Sequence, residues 1–240
     1  MTRLVRGFKS LVLSVWEYNI AMKNLKNALL LRQLYQKKQL GYKYTSVSVY
    51  KESEPDLSLP NSIENLKKQA LACHLCMLSK VREKVVFGQG SLNAKVMFVG
   101  DEPSASDDST GKVFTGRSGE ILTKMIENVL EIKREDVYIS NVLKCKSSNL
   151  QEISPTYAHT CYPYLLKEIE LVNPTIIVSL GRLAYQYLSN DDSPLDKVRG
   201  TVLTQEKYTL IPTYHPNYLL RNPSVKKSVL EDLLKVKGLI

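Results

Sequence analysis

Long apolar runs, internal repeats and low-complexity tracts are all missing from this sequence. No stretch approaches the ~18 consecutive apolar residues that span a bilayer, which excludes a membrane-spanning helix. The lack of a repeat removes solenoid and propeller architectures. A secretory leader is not expected either. The basic start MTRLVRGFK runs into a short apolar stretch, but Ser14 breaks it, and it ends in Trp16 and Glu17 with no small-residue cleavage site. A cytoplasmic protein with no membrane partner is therefore expected. Met22 opens a cleaner helical pattern and is the alternative start. Acidic residues are scarce at the N-terminus. Residues 1–51 carry ten Lys/Arg against Glu17 alone, while the rest of the chain holds 23 of each sign. The formal net charge of +9 thus belongs to the N-terminal extension. Charge alone gives no uniformly basic face to the remainder, where any phosphate grip has to come from local clusters and backbone amides.

What is present divides into two parts. Residues 23–40 space Leu25, Leu29, Leu30, Leu34 and Tyr35 as one helix face, and Gly41 can end that helix. Residues 42–60 hold two prolines and many serines and read as a linker. The expected organisation is a basic helical extension with its linker over 1–60 and a folded domain over 61–240.

Strand and helix signals alternate in that domain. Residues 95–100, 137–145, 175–181 and 208–215 read as strands. Residues 118–130, 155–172 and 181–188 and about 223–236 read as helices, with Pro155 suited to a first helical turn. Short β-branched strands, apolar on both faces and separated by helices, predict a three-layer α/β/α domain around a central, mainly parallel four-stranded sheet. Ligands bind such sheets beyond the carboxyl ends of the strands. This draws attention to Gly100–Ser104, Asn141–Cys145, Gly181 and Tyr214–His215.

The four cysteines are unevenly spaced. Cys73 and Cys76 form a Cys-x-x-Cys, and Cys145 and Cys161 have fifteen residues between them. Disulfides are rare in the cytosol. A redox dithiol at Cys73 and Cys76 leaves the other two unexplained, whereas a four-thiolate metal site uses all of them. Thiolates suit zinc or an iron–sulfur cluster, and spacing does not choose between these. Four unrelated buried thiols are the plain alternative. His74 reads as a loop residue beside the ligands.

Several segments, in this order, resemble the family-four uracil-DNA glycosylases of the uracil-DNA glycosylase superfamily. They are the Cys-x-x-Cys with Arg82, FGQGSLNAKVMFVG (87–100), GDEPSASDD (100–108), VFTGRSG (113–119), YISNVLKC (138–145), Cys161-Tyr162-Pro163, IIVSLG (176–181), Arg199-Gly200 and IPTYHPNYLLR (211–221). The similarity runs from Cys73 to Asp232, about two-thirds of the chain. It implies a monomeric repair enzyme that removes uracil from single- or double-stranded DNA, with a structural [4Fe–4S] cluster on the four cysteines. It also implies roles for single residues. Phe114 stacks on the flipped uracil beside Gly100, Asn141 reads uracil O4 and N3–H, His215 lies near uracil O2, and Asp101 stands where Glu is usual. Pro216–Arg221 resembles a loop that presses into the duplex, with Leu219 or Leu220 as wedge and Arg199 and Arg221 as DNA contacts. The sequence departs from the family pattern at Asp101-Glu102-Pro103-Ser104, at Val113 in place of Pro, and at Ser118 in place of Ala. A non-catalytic iron–sulfur module that binds nucleic acid is the alternative reading, and an enzyme of another class with a zinc Cys-four site is a third.

These residue types suit the reaction. The glycosidic bond is unreachable until the base leaves the stack, and an aromatic ring then offers it a π-face. Asn has one donating NH₂ group and one accepting C=O, matching uracil and opposing cytosine. A histidine can donate to the oxyanion that develops on uracil, and a carboxylate can orient water. Read without the motifs, Phe114 is a packing residue, Leu219 and Leu220 are core, His159 is a surface residue, and Asp107 and Asp108 form a solvated acidic turn.

Overall fold

In the computed structural model, residues 59–147 and 155–240 are described. Six strands form one sheet: Gln89–Gly90 (β1), Val96–Gly100 (β2), Tyr138–Asn141 (β3), Ile176–Leu180 (β4), Leu203–Thr204 (β5) and Thr209–Thr213 (β6). The order across the sheet is β1-β3-β2-β4-β6-β5. The inner four are parallel, with Gly100 opposite Asn141, Val99 opposite Ser179 and Leu180 opposite Thr213. Every residue of β2 and β4 is buried, so neither strand shows polar alternation. The sequence predicts these four strands. The sheet adds β1 and β5, two-residue antiparallel edges with no apolar run of their own, formed where a neighbour's backbone offers unpaired groups. The predicted strand over 137–145 stops early. After Asn141 the chain bends away, with Val142 and Leu143 donating to the carbonyls of Gly100 and Asp101.

The helices are Ile63–Leu71 (α1), Ala105–Thr110 (α2), Arg117–Met125 (α3), Pro155–Val172 (α4), Arg182–Ser189 (α5), Leu195–Val198 (α6), Pro216–Arg221 (α7) and Lys226–Lys237 (α8). Strand alternation divides the core into two layers. Met97, Val99, Tyr138, Ile177 and Leu210 pack with side chains of α1, α4 and α5. Phe98, Ile139, Val178, Leu180 and Ile211 pack on the opposite face with Leu122, Leu219 and Leu233 from α3, α7 and α8. Each fully buried aliphatic or aromatic side chain contributes about 1.5–3 kcal/mol. No helix among the described residues is long and apolar enough to cross a membrane. The helix expected over 23–40, its stop at Gly41 and the linker up to residue 58 lie outside the described residues.

The last strand is fastened from behind. Thr213 ends β6, and its hydroxyl donates to Asp232 Oδ2 at 2.7 Å. Arg199 grips the same carboxylate, from Nε at 3.1 Å and Nη2 at 2.6 Å. Gly200 lies so close that a Cβ there would meet Asp232 Oδ1 at 2.1 Å. Breaking such an enclosed pair leaves a charge without its partner, at a cost of about 3 kcal/mol. Asp232→Ala is expected to lower the thermal midpoint by roughly 6–12 °C in a domain of this size. Calorimetry measures this, and an unchanged midpoint would refute the role given to the pair.

Candidate active site

The parallel strands end together, and side chains from their ends meet. Asn141, the last residue of β3, is fully buried, and neither its Oδ1 nor its Nδ2 has a hydrogen-bond partner among the described residues. An unpaired buried amide group costs about 1–3 kcal/mol. Gly100, across the ladder, leaves the space that this amide faces. A Cβ on Gly100 would lie 2.4 Å from Asn141 Oδ1 and 2.8 Å from the Phe114 ring. The Asn141 amide and the Phe114 ring therefore both close on Gly100, where no Cβ fits, so that polar atoms and an aromatic ring stand side by side.

Phe114 is held in an unfavourable backbone conformation, φ +51°, which costs a side-chain-bearing residue about 1–3 kcal/mol. Three contacts hold it there. Arg134 Nη2 donates to the carbonyls of Val113 and Phe114, both at 3.1 Å. Asp107 Oδ1 accepts from the Thr115 N–H at 2.7 Å and from the Thr115 hydroxyl at 2.8 Å. Gly119, near the start of α3, has no Cβ, and one there would sit 1.8 Å from the Phe114 carbonyl oxygen. The solvated acidic turn expected at Asp107 and Asp108 is therefore corrected, since both are buried. Asp107 closes a capping box with Ser104 at the start of α2, and Asp108 accepts from the backbone N–H groups of Glu83 and Lys84. The Ser-x-x-Asp spacing is a readable signal for that cap. Nothing local marks Arg134, twenty residues away.

His215 precedes α7 as its N-cap. Its Nδ1 accepts from the Asn217 N–H at 3.1 Å, which leaves the ring proton on Nε2. The ring lies 5.5 Å from that of Phe114, tilted by 31°. Burial pushes its pKa down to about 4, against a small upward pull from Asp107, so the ring is neutral at pH 7.

Asp101 follows Gly100 and turns toward the start of α5. Its Oδ1 accepts from the Ala184 N–H at 2.8 Å. Its Oδ2 lies against Gly181, where a Cβ would come within 2.6 Å, and has no hydrogen bond to the described residues. Although part of the residue stays exposed, desolvation pushes its carboxyl up to about 7, helped by Glu102 and opposed by the Ala184 N–H. Glu102 points elsewhere, and its Oε2 accepts from the Ser147 N–H at 3.1 Å.

The segment expected as a loop over Pro216–Arg221 is a helical turn, α7. Leu219 faces inward and packs in the same core layer as Phe114. Tyr218 and Leu220 are exposed, and Tyr218 stacks on Tyr214 with ring centroids 5.1 Å apart. Arg221 is exposed, whereas Arg199 is turned inward to Asp232 and the Ser228 carbonyl. His159 packs edge-on against Tyr187.

The four cysteines are free thiols that line a single cavity, together with Ala70, Val85 and Tyr164. Cys73 and Cys76 follow α1, Cys145 lies beyond β3, and Cys161 is on α4. Among the described residues no three Cys, His, Asp or Glu side chains stand at single-ion ligand geometry. N–H groups are aimed at the sulfurs. Arg82 Nη1 donates to Cys145 Sγ at 3.0 Å, and the Lys144 backbone N–H donates to Cys161 Sγ at 3.3 Å. Burial pushes the Cys161 thiol up to about 12 and raises Cys145 against the pull of Arg82. A bound cation offsets this cost of forming thiolates.

The uracil DNA glycosylase superfamily model matches residues 87–234. The chain is 35% identical over 187 residues to the type-4 uracil-DNA glycosylase of Sulfurisphaera tokodaii, an alignment covering 75% of this chain and 85% of that protein. It is 36% identical over 185 residues to the Saccharolobus solfataricus protein of the same name, covering 74% and 86%. It is 38% identical over 182 residues to that of Thermotoga maritima, covering 74% and 94%. With the fold and the strand-end cluster described above, these matches mean that the chain belongs to the uracil DNA glycosylase superfamily, in its type-4 branch.

Proposed function

We propose that this chain releases uracil from DNA by hydrolysing the N-glycosidic bond of deoxyuridine. The observation that carries the reading is the buried Asn141 amide, unpaired among the described residues and packed with the Phe114 ring against Gly100. An extruded base stacks on Phe114. Asn141 Nδ2 donates to uracil O4, and Oδ1 accepts from N3–H. Cytosine reverses both groups and leaves the amide unpaired, so it is rejected.

The glycosidic bond breaks with its electron pair going to uracil, where negative charge gathers on O2. His215 is neutral, with its remaining proton on Nε2, and donates there without first having to lose a charge. One such donor is worth about 2.7–4 kcal/mol. The sugar acquires oxocarbenium character. Asp101 Oδ2, without a partner among the described residues, orients the water whose oxygen bonds to C1′ and accepts the proton that this water gives up. The shorter Asp does this from a position tied to α5. The exposed Leu220 and Arg221 of α7 meet the duplex. Leu219 and Arg199 act from inside, holding α7 and the end of β6.

Cys73, Cys76, Cys145 and Cys161 would hold a [4Fe–4S] cluster, which ties α1, the segment after β3 and α4 together. The four thiols around one cavity and the N–H groups directed at two of the sulfurs support this.

The functional test is single-turnover uracil release from paired and single-stranded oligonucleotides. The parent is expected to cleave, and Asn141→Ala to fall by about a hundredfold. A folded, metal-loaded parent that releases no uracil would favour the non-catalytic module. The pH profile tests Asp101. Its working form is ionised and its pKa is raised, so activity is present above pH 7 and is lost as pH falls through about 7. His215, lowered to about 4, adds no limb in that range. Asp101→Asn is expected to remove the limb and lower the plateau at least about tenfold, while Glu102→Ala changes the rate by less than about threefold. The reverse ranking would move the water-orienting role to Glu102. Protein purified anaerobically is expected to carry iron and sulfide, lost in Cys161→Ala together with stability. Stoichiometric zinc in their place would overturn the cluster assignment.

A further inference from the structure

A buried ion pair lies between the cysteine cavity and the base-reading residue. Lys144 and Glu168 are both almost wholly inaccessible, and Lys144 Nζ bonds Glu168 Oε2 directly. Such pairs are costly, and replacing one with apolar groups is often neutral or stabilising. Its retention here calls for a structural reason.

The surrounding network leaves nothing unpaired. Glu168 Oε1 accepts from the Gly88 N–H at 3.0 Å and the Tyr138 hydroxyl at 3.1 Å. Its Oε2 accepts from the Ser140 hydroxyl at 2.8 Å as well as from Lys144. The three protons of Lys144 go to Glu168, to Ser140 Oγ at 2.7 Å and to the Asn141 carbonyl at 2.8 Å. That last bond matters most. The Asn141 side chain has no hydrogen bond to the described residues, so its aim depends on packing and on its backbone, and β3 ends at this residue. Lys144 holds the carbonyl at that point. Its own backbone N–H meanwhile donates to Cys161 Sγ, and Cys161 and Glu168 stand seven residues apart, two turns along one face of α4.

We infer that Lys144 and Glu168 are positioning residues that fix the Asn141 amide in its base-reading orientation and join it mechanically to the cysteine site. This rests on the glycosylase reading of Asn141. Strand alternation supports it: Ser140 turns to the α4 side and meets the pair, which places the next side chain, Asn141, on the Phe114 side. A backbone shift of about 1 Å at this point is enough to cost about a hundredfold in rate.

The test uses the full-length, metal-loaded protein. The double variant Lys144→Met with Glu168→Gln removes both charges together, so that neither is left buried alone, and keeps an amide to receive Tyr138 and Gly88. It is expected to retain parental metal content and affinity for uracil-free duplex within about twofold, yet to lose at least about tenfold in single-turnover uracil release. Inhibition by free uracil, which reads the Asn141 pocket alone, should weaken in step. Ser140→Ala is the milder variant, expected to lose about threefold with the ion pair intact, and it decides the matter if the double variant does not fold. Parental release and parental uracil inhibition in a folded, metal-loaded variant would overturn the inference. So would a rate loss that only tracks lost metal. Failure of the parent itself to release uracil would instead refute the functional reading.

Discussion

A β-strand sends neighbouring side chains to opposite faces, and this chain depends on that rule at two consecutive residues of β3. Ser140 enters the layer beneath the sheet, where Glu168 and Lys144 complete a saturated polar network. Asn141 enters the layer above, where its amide lies near Phe114 with no partner among the described residues. A slip of one residue would exchange the two and set the serine beside Gly100 and Phe114. The parallel pairing of β3 with β2 prevents the slip, because it sets Gly100 directly opposite Asn141.

The rest of the site is prepared by contacts that are individually ordinary. Phe114 occupies a backbone region that side-chain-bearing residues avoid, and Arg134, Asp107 and Gly119 confine it there. His215 has its tautomer set by the first turn of the helix it caps, and its neutrality by burial. Asp101 is half tethered: one oxygen accepts from the α5 backbone and the other has no hydrogen bond among the described residues. Strain at Phe114 and desolvation at His215 and Asp101 are each sustained by hydrogen bonds to neighbouring groups, which fix the orientation of these side chains.

Much of this was legible in the residues. The four parallel strands, the helix over 155–172 and the placing of Gly100 and Asn141 at strand ends follow from apolar periodicity, and the four cysteines line one cavity as their number and spacing suggest. Asn141 is conspicuous because an amide among apolar strand neighbours needs a hydrogen-bonding reason. The edge strands were not legible, since two residues have no period. Nor was the inward turn of Arg199, and of the two leucines read as core only Leu219 is buried, because a short motif does not say which of its residues faces the core.

By itself, the sequence determined which segments become strands and helices and which few polar residues fall at strand ends, because these depend on side-chain period and local backbone preference. Only the tertiary structure decided what those residues do. Asp107 and Asp108 look like a solvated turn until the loop at Phe114 and the segment at Glu83 and Lys84 close over them. Nothing local marks Lys144 as buried, yet α4 brings Glu168 to it across twenty-four positions. Burial and pairing between distant segments set the cost and the protonation of a charge, and no local pattern carries that information.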